Sequence, residues 1–271
     1  MRVALIGGGT IARLFVDHIR RGDLGDSRVT AIMGRDDASR GRPLAVDNDI
    51  SYVTTLDALM AQAPDVVVEA ASHEAVREFG ETLLERGIAL IVLSGGALCD
   101  DVLRAKLESA AMKSGALLYV PSGGICGLDA LKTMCIAGVE EVCIAVTKPP
   151  AAWKGIAYVE RQGFMLDGMT GPLTLFDGSA REGVPLFPAN VNIAAVLSMA
   201  GVGFDQTRLK VVADPSLQLN THHITMRGKT GTVSIKLESV PAPENPKTSW
   251  LACYSALAAL KYAKSPVRYG T

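Results

Sequence analysis

Near the start of the chain a short apolar run, Arg2-Val3-Ala4-Leu5-Ile6, leads into Gly7-Gly8-Gly9-Thr10-Ile11-Ala12 and then into a helical pattern reaching about Arg21. Glycines spaced as Gly7-x-Gly9-x-x-Ala12 between a strand and a helix allow a tight turn, close approach of a ligand to the backbone, and exposed amides at the helix start. That combination suits a pyrophosphate, so Gly7, Gly9, Thr10, Ile11 and Ala12 are the expected contacts of a dinucleotide. No Gly-Lys-Ser/Thr follows, which argues against a nucleoside-triphosphate loop. The next predicted strand, Val29–Met33, ends in Gly34-Arg35-Asp36-Asp37. A carboxylate there accepts hydrogen bonds from a ribose hydroxyl, whereas a guanidinium pairs with a 2′-phosphate. Asp36 therefore suits NAD and Arg35 suits NADP, and the residues leave both open.

A second set of chemically capable residues lies further on, in surroundings that otherwise read as buried. It comprises Lys148 before Pro149-Pro150, Asn190 and Asn192, Asn220, His222, His223, and Asn245-Pro246-Lys247. Buried polar groups need partners or a ligand. Two adjacent histidines on a strand point to opposite faces, so one of them can face a cleft, and periodicity does not say which.

The elements that must position these groups alternate. After Val29–Met33 come the apolar run Asp65–Ala70, a helix carrying Val76, Phe79, Leu83 and Leu84 on one face, a strand over Ala89–Leu93, a helix from about Asp100 to Lys113, and a strand over Ala116–Val120. Such alternation predicts a Rossmann-type, doubly wound parallel sheet. Beyond Pro121 the pattern changes to a glycine-rich loop, PSGGICGLDAL, and longer strands including Glu141–Thr147 and Lys210–Ala213. Thr221–Met226 and Thr232–Leu237, with Gly228 and Gly231 between them, read as a hairpin of an open mixed sheet in a second α/β domain. An Ala- and Leu-rich helix, Trp250–Lys261, is placed to pack back on the first domain. The expected division is 1–122 with 246–271 for the dinucleotide, and 123–245 for substrate, catalysis and self-association, with the site in the cleft between.

Composition narrows the partners. With 27 Lys and Arg against 28 Asp and Glu the net charge is -1, and the cations are scattered, so nucleic acid is not an expected ligand. The five cysteines form no C-x-x-C pair and have no accompanying histidine spacing, which predicts neither a metal site nor a redox dithiol. No secretory leader is recognisable, and the most apolar later stretch is broken by Pro185, Pro188, Asn190 and Asn192. A soluble cytoplasmic protein without a membrane partner is expected.

Several loops, taken in order, resemble the L-aspartate dehydrogenase family: EAASHEAV (69–76), SGGALCDD (94–101), PSGGICGLDALK (121–132), TKPPAAWKG (147–155), LFPANVNIAAVLSMAG (186–201), ADPSLQLNTHHI (213–224) and PENPKTSWLA (243–252). The resemblance implies oxidative deamination of L-aspartate through iminoaspartate to oxaloacetate and ammonia with NAD or NADP, or the reverse reductive amination. It implies His222, in Asn220-Thr221-His222, as the catalytic acid/base, and Asn190 and Gly124 as cofactor contacts. A dicarboxylate substrate needs cationic and amide donors, for which Lys148 and Lys247 are the candidates, with Asn220 and His223 beside the catalytic residue. The sequence departs from the family pattern around this pocket at Gly95, Gly124, Cys126, His223 and Thr230. Related amino-acid dehydrogenases or imine reductases, and a non-catalytic dinucleotide sensor, are the alternatives. A homo-oligomer, a dimer in the simplest case, is expected to cover the open sheet.

Overall fold

Strands in the first part of the chain are apolar almost end to end, as strands covered on both faces must be. The computed structural model describes residues 1–188, 190–242, 245–263 and 267, excluding the side chains of 241 and 245–248. Its first unit contains β1 (Arg2–Ile6), α1 (Thr10–Arg20), β2 (Arg28–Met33), α2 (Gly41–Val46), β3 (Ser51–Val53), α3 (Leu56–Ala61), β4 (Val66–Glu69), α4 (His73–Glu85), β5 (Ala89–Val92), α5 (Asp101–Ser114) and β6 (Leu118–Tyr119). The strands form one parallel sheet in the order β3-β2-β1-β4-β5-β6. This is the doubly wound dinucleotide-binding order, in which the chain reverses direction beside β1.

Local chemistry sets the helix ends. The hydroxyl of Ser72 accepts from Ala75 N at the start of α4, and the carboxylate of Asp100 accepts from Val102 N and Leu103 N at the start of α5. Gly115 ends α5 in the left-handed region at φ 73°. On α1 the buried residues Ala12, Phe15, Val16 and Ile19 recur at helical spacing and press on Val3, Leu5, Ile32 and Val68.

The second unit contains α6 (Leu128–Ala137), β7 (Val139–Lys148), α7 (Ala157–Arg161), β8 (Leu173–Ser179), α8 (Ala180–Gly183), α9 (Asn192–Ala200), β9 (Thr207–Ala213), β10 (Asn220–Gly228), β11 (Gly231–Ser239), β12 (Pro241–Ala242) and β13 (Asn245–Ser249), and α10 (Trp250–Tyr262) begins in it. Its main sheet runs β11-β10-β7-β9-β8 and is mixed, with β7 and β9 parallel and the other neighbours antiparallel. Alternation gives each strand a buried side, seen in Val142, Ile144 and Val146 on β7 and in Ile224 and Met226 on β10. The other side carries ion pairs such as Arg227–Glu141 at 3.3 Å and Lys236–Glu238 at 3.0 Å.

Among the described residues, compact units divide as 1–121 with 253–263, against 122–252 with 267. Ala256, Leu257, Ala259 and Leu260 of α10 belong to the core of the first unit. The chain passes back at Cys253, later than residue 246, because Asn245–Ser249 pairs with Pro241–Ala242 as a small antiparallel ribbon of the second unit.

Candidate active site

In the first unit the glycine turn is dictated by backbone crowding. Gly7 has φ +102° and donates its N–H to the Met33 carbonyl at 2.9 Å; a Cβ there would lie 2.6 Å from the Ala70 oxygen. At Gly8 a Cβ would lie 2.1 Å from the Gly41 backbone. Gly9 differs, since a Cβ on it would meet nothing within 4 Å. It is the N-cap of α1 and offers no side-chain cap, so Thr10 and Ile11 open the helix with amides available to an anion. Ala12 is fully buried, which lets α1 lie close to the sheet.

Beside this turn lies a cavity of about 620 Å³ lined by Gly7, Gly8, Arg35, Asp36, Ser72 and Phe79 among others. A glycine cradle, an uncapped helix start and an adjacent cavity at the tip of β2 fit a dinucleotide: the pyrophosphate at Gly9 to Ile11, the adenosine ribose at Arg35 and Asp36.

Glu69, which opens the stretch EAASHEAV and for which local sequence implies no role, ties this edge of the sheet together. It is 1% exposed at the end of β4. Oε1 accepts from Ala71 N at 2.8 Å, Ser72 N at 2.9 Å and Ser94 Oγ at 2.9 Å, and Oε2 accepts from Ser94 N at 3.0 Å. Burial raises its pKa while these hydrogen bonds pull it down. The signal available in the sequence was a carboxylate closing the otherwise apolar run Val66-Val67-Val68.

In the second unit, strand alternation separates the two histidines. His222 is 4% exposed and lies on the buried side of β10, whereas its neighbour is exposed on the other side with Nε2 2.9 Å from Ser234 Oγ. His223, the expected substrate contact, is turned away from His222 by the two-residue period of the strand. Lys148 is the last residue of β7, and β7 pairs with β10 in a register that puts Val146 opposite His222. Lys148 and His222 thus share the buried side. Lys148 is 3% exposed; its Nζ donates to the Asn190 carbonyl at 3.1 Å and to Asn190 Oδ1 at 3.4 Å, and stands 5.2 Å from the centre of the Trp153 ring.

The Nδ1 atom of His222 has no hydrogen-bond partner among the described residues. Burial, and then the charge of Lys148, lower its pKa from 6.5 to about 4. The ring is neutral at physiological pH and able to accept a proton. Asn220 is buried at the start of β10 on the same side as His222. Asn190 joins this group through Lys148. Gly124 is packed near Ile193 and Ser249, and a Cβ on it would lie 3.0 Å from Ser249 Oγ. The side chain of Lys247 lies outside the described residues. Among the described residues no group of three or more His, Cys, Asp or Glu could hold a metal, and no helix is long and apolar enough to cross a membrane.

Comparison with known proteins bears on both units. Residues 7–121 match the family model described as homoserine dehydrogenase, NAD binding domain, and residues 129–263 match that described as aspartate dehydrogenase, C-terminal. The L-aspartate dehydrogenase of Methanosarcina mazei is 38% identical over 275 residues, covering 100% of both chains. The crystal structure of aspartate dehydrogenase from Thermotoga maritima superposes with a TM-score of 0.75 at 27% identity, covering 100% of this chain and 99% of that one. A hyperthermophilic archaeal homoserine dehydrogenase in complex with NADPH shares the fold, with a TM-score of 0.61 at 11% identity over 100% of this chain and 99% of its own. A glycine cradle in one unit and a buried histidine and lysine in the other thus sit within an identity that runs the whole length of a relative, and the chain belongs to the L-aspartate dehydrogenase family.

Proposed function

We propose that this dehydrogenase interconverts L-aspartate with oxaloacetate and ammonia, using NAD or NADP, with His222 as acid/base. The observation that carries the reading is the neutral imidazole of His222, its Nδ1 without a partner among the described residues, on the same buried face as the ammonium of Lys148. A bound dinucleotide supplies hydride acceptance and donation. The chain's own residues handle the protons and the charge of the substrate.

His222 takes a proton from the substrate amine so that its lone pair assists departure of the Cα hydride, and the substrate becomes iminoaspartate. After that first proton has passed to solvent, the same nitrogen takes a proton from the water that adds to the imine carbon and returns it to the departing ammonia. Lys148 supplies the positive charge that a desolvated carboxylate requires. The carboxylate in turn offsets the lysine's field and raises the pKa of His222 toward neutrality, so the base strengthens when substrate is present. Asn190, by holding Lys148, and Asn220, beside His222, complete the polar lining on this side.

The direct test follows nicotinamide absorbance with oxaloacetate and ammonia, and with L-aspartate, for the wild type and His222→Ala. Turnover is expected to fall about 10²–10⁴-fold in the variant while nucleotide binding survives. Undiminished turnover removes His222 from the mechanism. We place the enzyme in a reducing, cytoplasmic compartment, which the five cysteines, none of them in a disulfide, support. We also propose that the chain self-associates as a dimer, which sedimentation tests.

A further inference from the structure

Dinucleotide choice is a property of the loop after β2, and here the two rival side chains are not equivalent. Gly34 N donates to Val53 O at 3.1 Å, and a Cβ on Gly34 would lie 2.1 Å from Tyr52 Oη. Glycine at this position therefore lets the Tyr52 hydroxyl donate to the Asp36 carbonyl. The Ser39 hydroxyl accepts from Arg35 N and Asp36 N, both at 3.2 Å. The loop backbone is thus held before any ligand arrives.

Within that loop one oxygen of the exposed Asp36 carboxylate is already engaged by its own loop. Its Oδ1 accepts from Ala38 N at 3.0 Å and from Ser39 Oγ at 3.0 Å. Chelating the two hydroxyls of a ribose would compete with these bonds. The neighbouring Asp37 is paired with Arg42 at 3.0 Å. Arg35 and Asp36 both line the cavity, but the Arg35 guanidinium has no ion-pair partner among the described residues. Of the acids on α4 that line the same cavity, Glu74 is engaged by the Ser72 hydroxyl and its own backbone N–H, and Glu78 lies one turn further along. A guanidinium without an ion pair among the described residues, beside a carboxylate with one oxygen held by its own loop, is arranged for a phosphate rather than for a hydroxyl.

We propose that Arg35 binds the 2′-phosphate of NADP(H) and makes this chain NADP-preferring. The proposal rests on the dinucleotide reading of the cavity and adds the choice between the two forms. Its test is binding as well as rate: fluorescence titration of the purified protein with NADPH and with NADH, beside kcat/KM for each in reductive amination, for the wild type and Arg35→Ser. Arg35 is exposed, and unchanged thermal unfolding of the variant establishes that it is folded.

The expected result is NADPH bound at least about tenfold more tightly than NADH, with Arg35→Ser weakening NADPH about 10- to 100-fold and NADH by less than about threefold, in line with loss of charge-assisted hydrogen bonds. Equal or tighter binding of NADH by the wild type overturns the proposal, as does an equal loss of both forms in the variant. An NADPH preference in binding without turnover of aspartate or oxaloacetate leaves the proposal standing and removes the proposed reaction. Turnover with NADH preferred does the reverse. Binding of neither form removes the dinucleotide reading, and the proposal with it.

Discussion

Lys148 and His222 occupy one buried face of the second sheet on the neighbouring strands β7 and β10, and the lysine's charge adds to burial in lowering the imidazole pKa to about 4. If the proposed substrate carboxylate binds beside the lysine, it offsets that charge and strengthens the base, so the proposed function couples binding and base strength through one charge pair.

Replacing Lys148 by Met removes the second cause of the depression and leaves the first. The His222 pKa is expected to rise toward its ordinary 6.5 without reaching it, and Lys148→Arg is expected to keep it low. Ring proton chemical shifts against pH report this directly in the free enzyme. An imidazole that titrates alike in all three proteins would show that Lys148 does not act on it. The Met variant should also raise KM for L-aspartate about tenfold or more, since a buried carboxylate then lacks its cation.

Stability should depend on pH through the same ring. His222 titrates at about 4 in the folded chain against 6.5 when unperturbed, so below pH 6.5 the unfolded state binds a proton that the native state refuses. The stability present above 6.5 is lost as pH falls toward 4, by roughly 3 kcal/mol at most from this group. Denaturant unfolding of the wild type and His222→Asn at pH 7 and pH 5 isolates the contribution. The variant is expected to lose less on acidification, and parallel losses would assign the acid sensitivity to other groups.

Glu69→Ala removes the acceptor for Ala71 N, Ser72 N and both Ser94 donors at once. Donors left buried and unpaired cost about 1–3 kcal/mol each where water cannot reach them, so a total of about 2–5 kcal/mol is expected. Glu69→Gln keeps one oxygen for three of the four bonds and turns an amide N–H2 toward Ser94 N, so it should cost less. Urea midpoints for the two variants give the order, and an Ala variant as stable as the Gln variant would mean that solvent replaces the carboxylate.

The same residue shows what could and could not be read from the chain. Strands such as Val66-Val67-Val68 and the hairpin about Gly228 and Gly231 announce themselves because burial on one or both faces writes its period into side-chain polarity. Short edge elements such as Ser51–Val53, and Leu173–Ser179 with its irregular pairing, carry no such period. Strand alternation predicts that His222 and His223 part company, but which one faces inward depends on register with β7, a long-range fact. The role of Glu69 depends on Ser94, 25 residues away and one strand over. Charges buried by distant partners are invisible to local pattern.

The glycine turn yields a prediction that separates folding from binding. Gly7→Ala puts a Cβ 2.6 Å from a backbone oxygen at a φ of +102°, so both the fold and the site should suffer, by about 2–4 kcal/mol in stability. Gly9→Ala meets no atom within 4 Å, and its φ of -83° suits alanine. Its stability should stay within about 0.5 kcal/mol of the wild type, as at an unstrained exposed position. Its dinucleotide affinity should nevertheless fall about tenfold or more, because the added methyl occupies the space through which a pyrophosphate reaches the amides of α1. Thermal unfolding and nucleotide titration on the two variants read these quantities separately. If Gly9→Ala binds dinucleotide as tightly as the wild type, the pyrophosphate does not lie over the start of α1, and the open space at Gly9 has another cause.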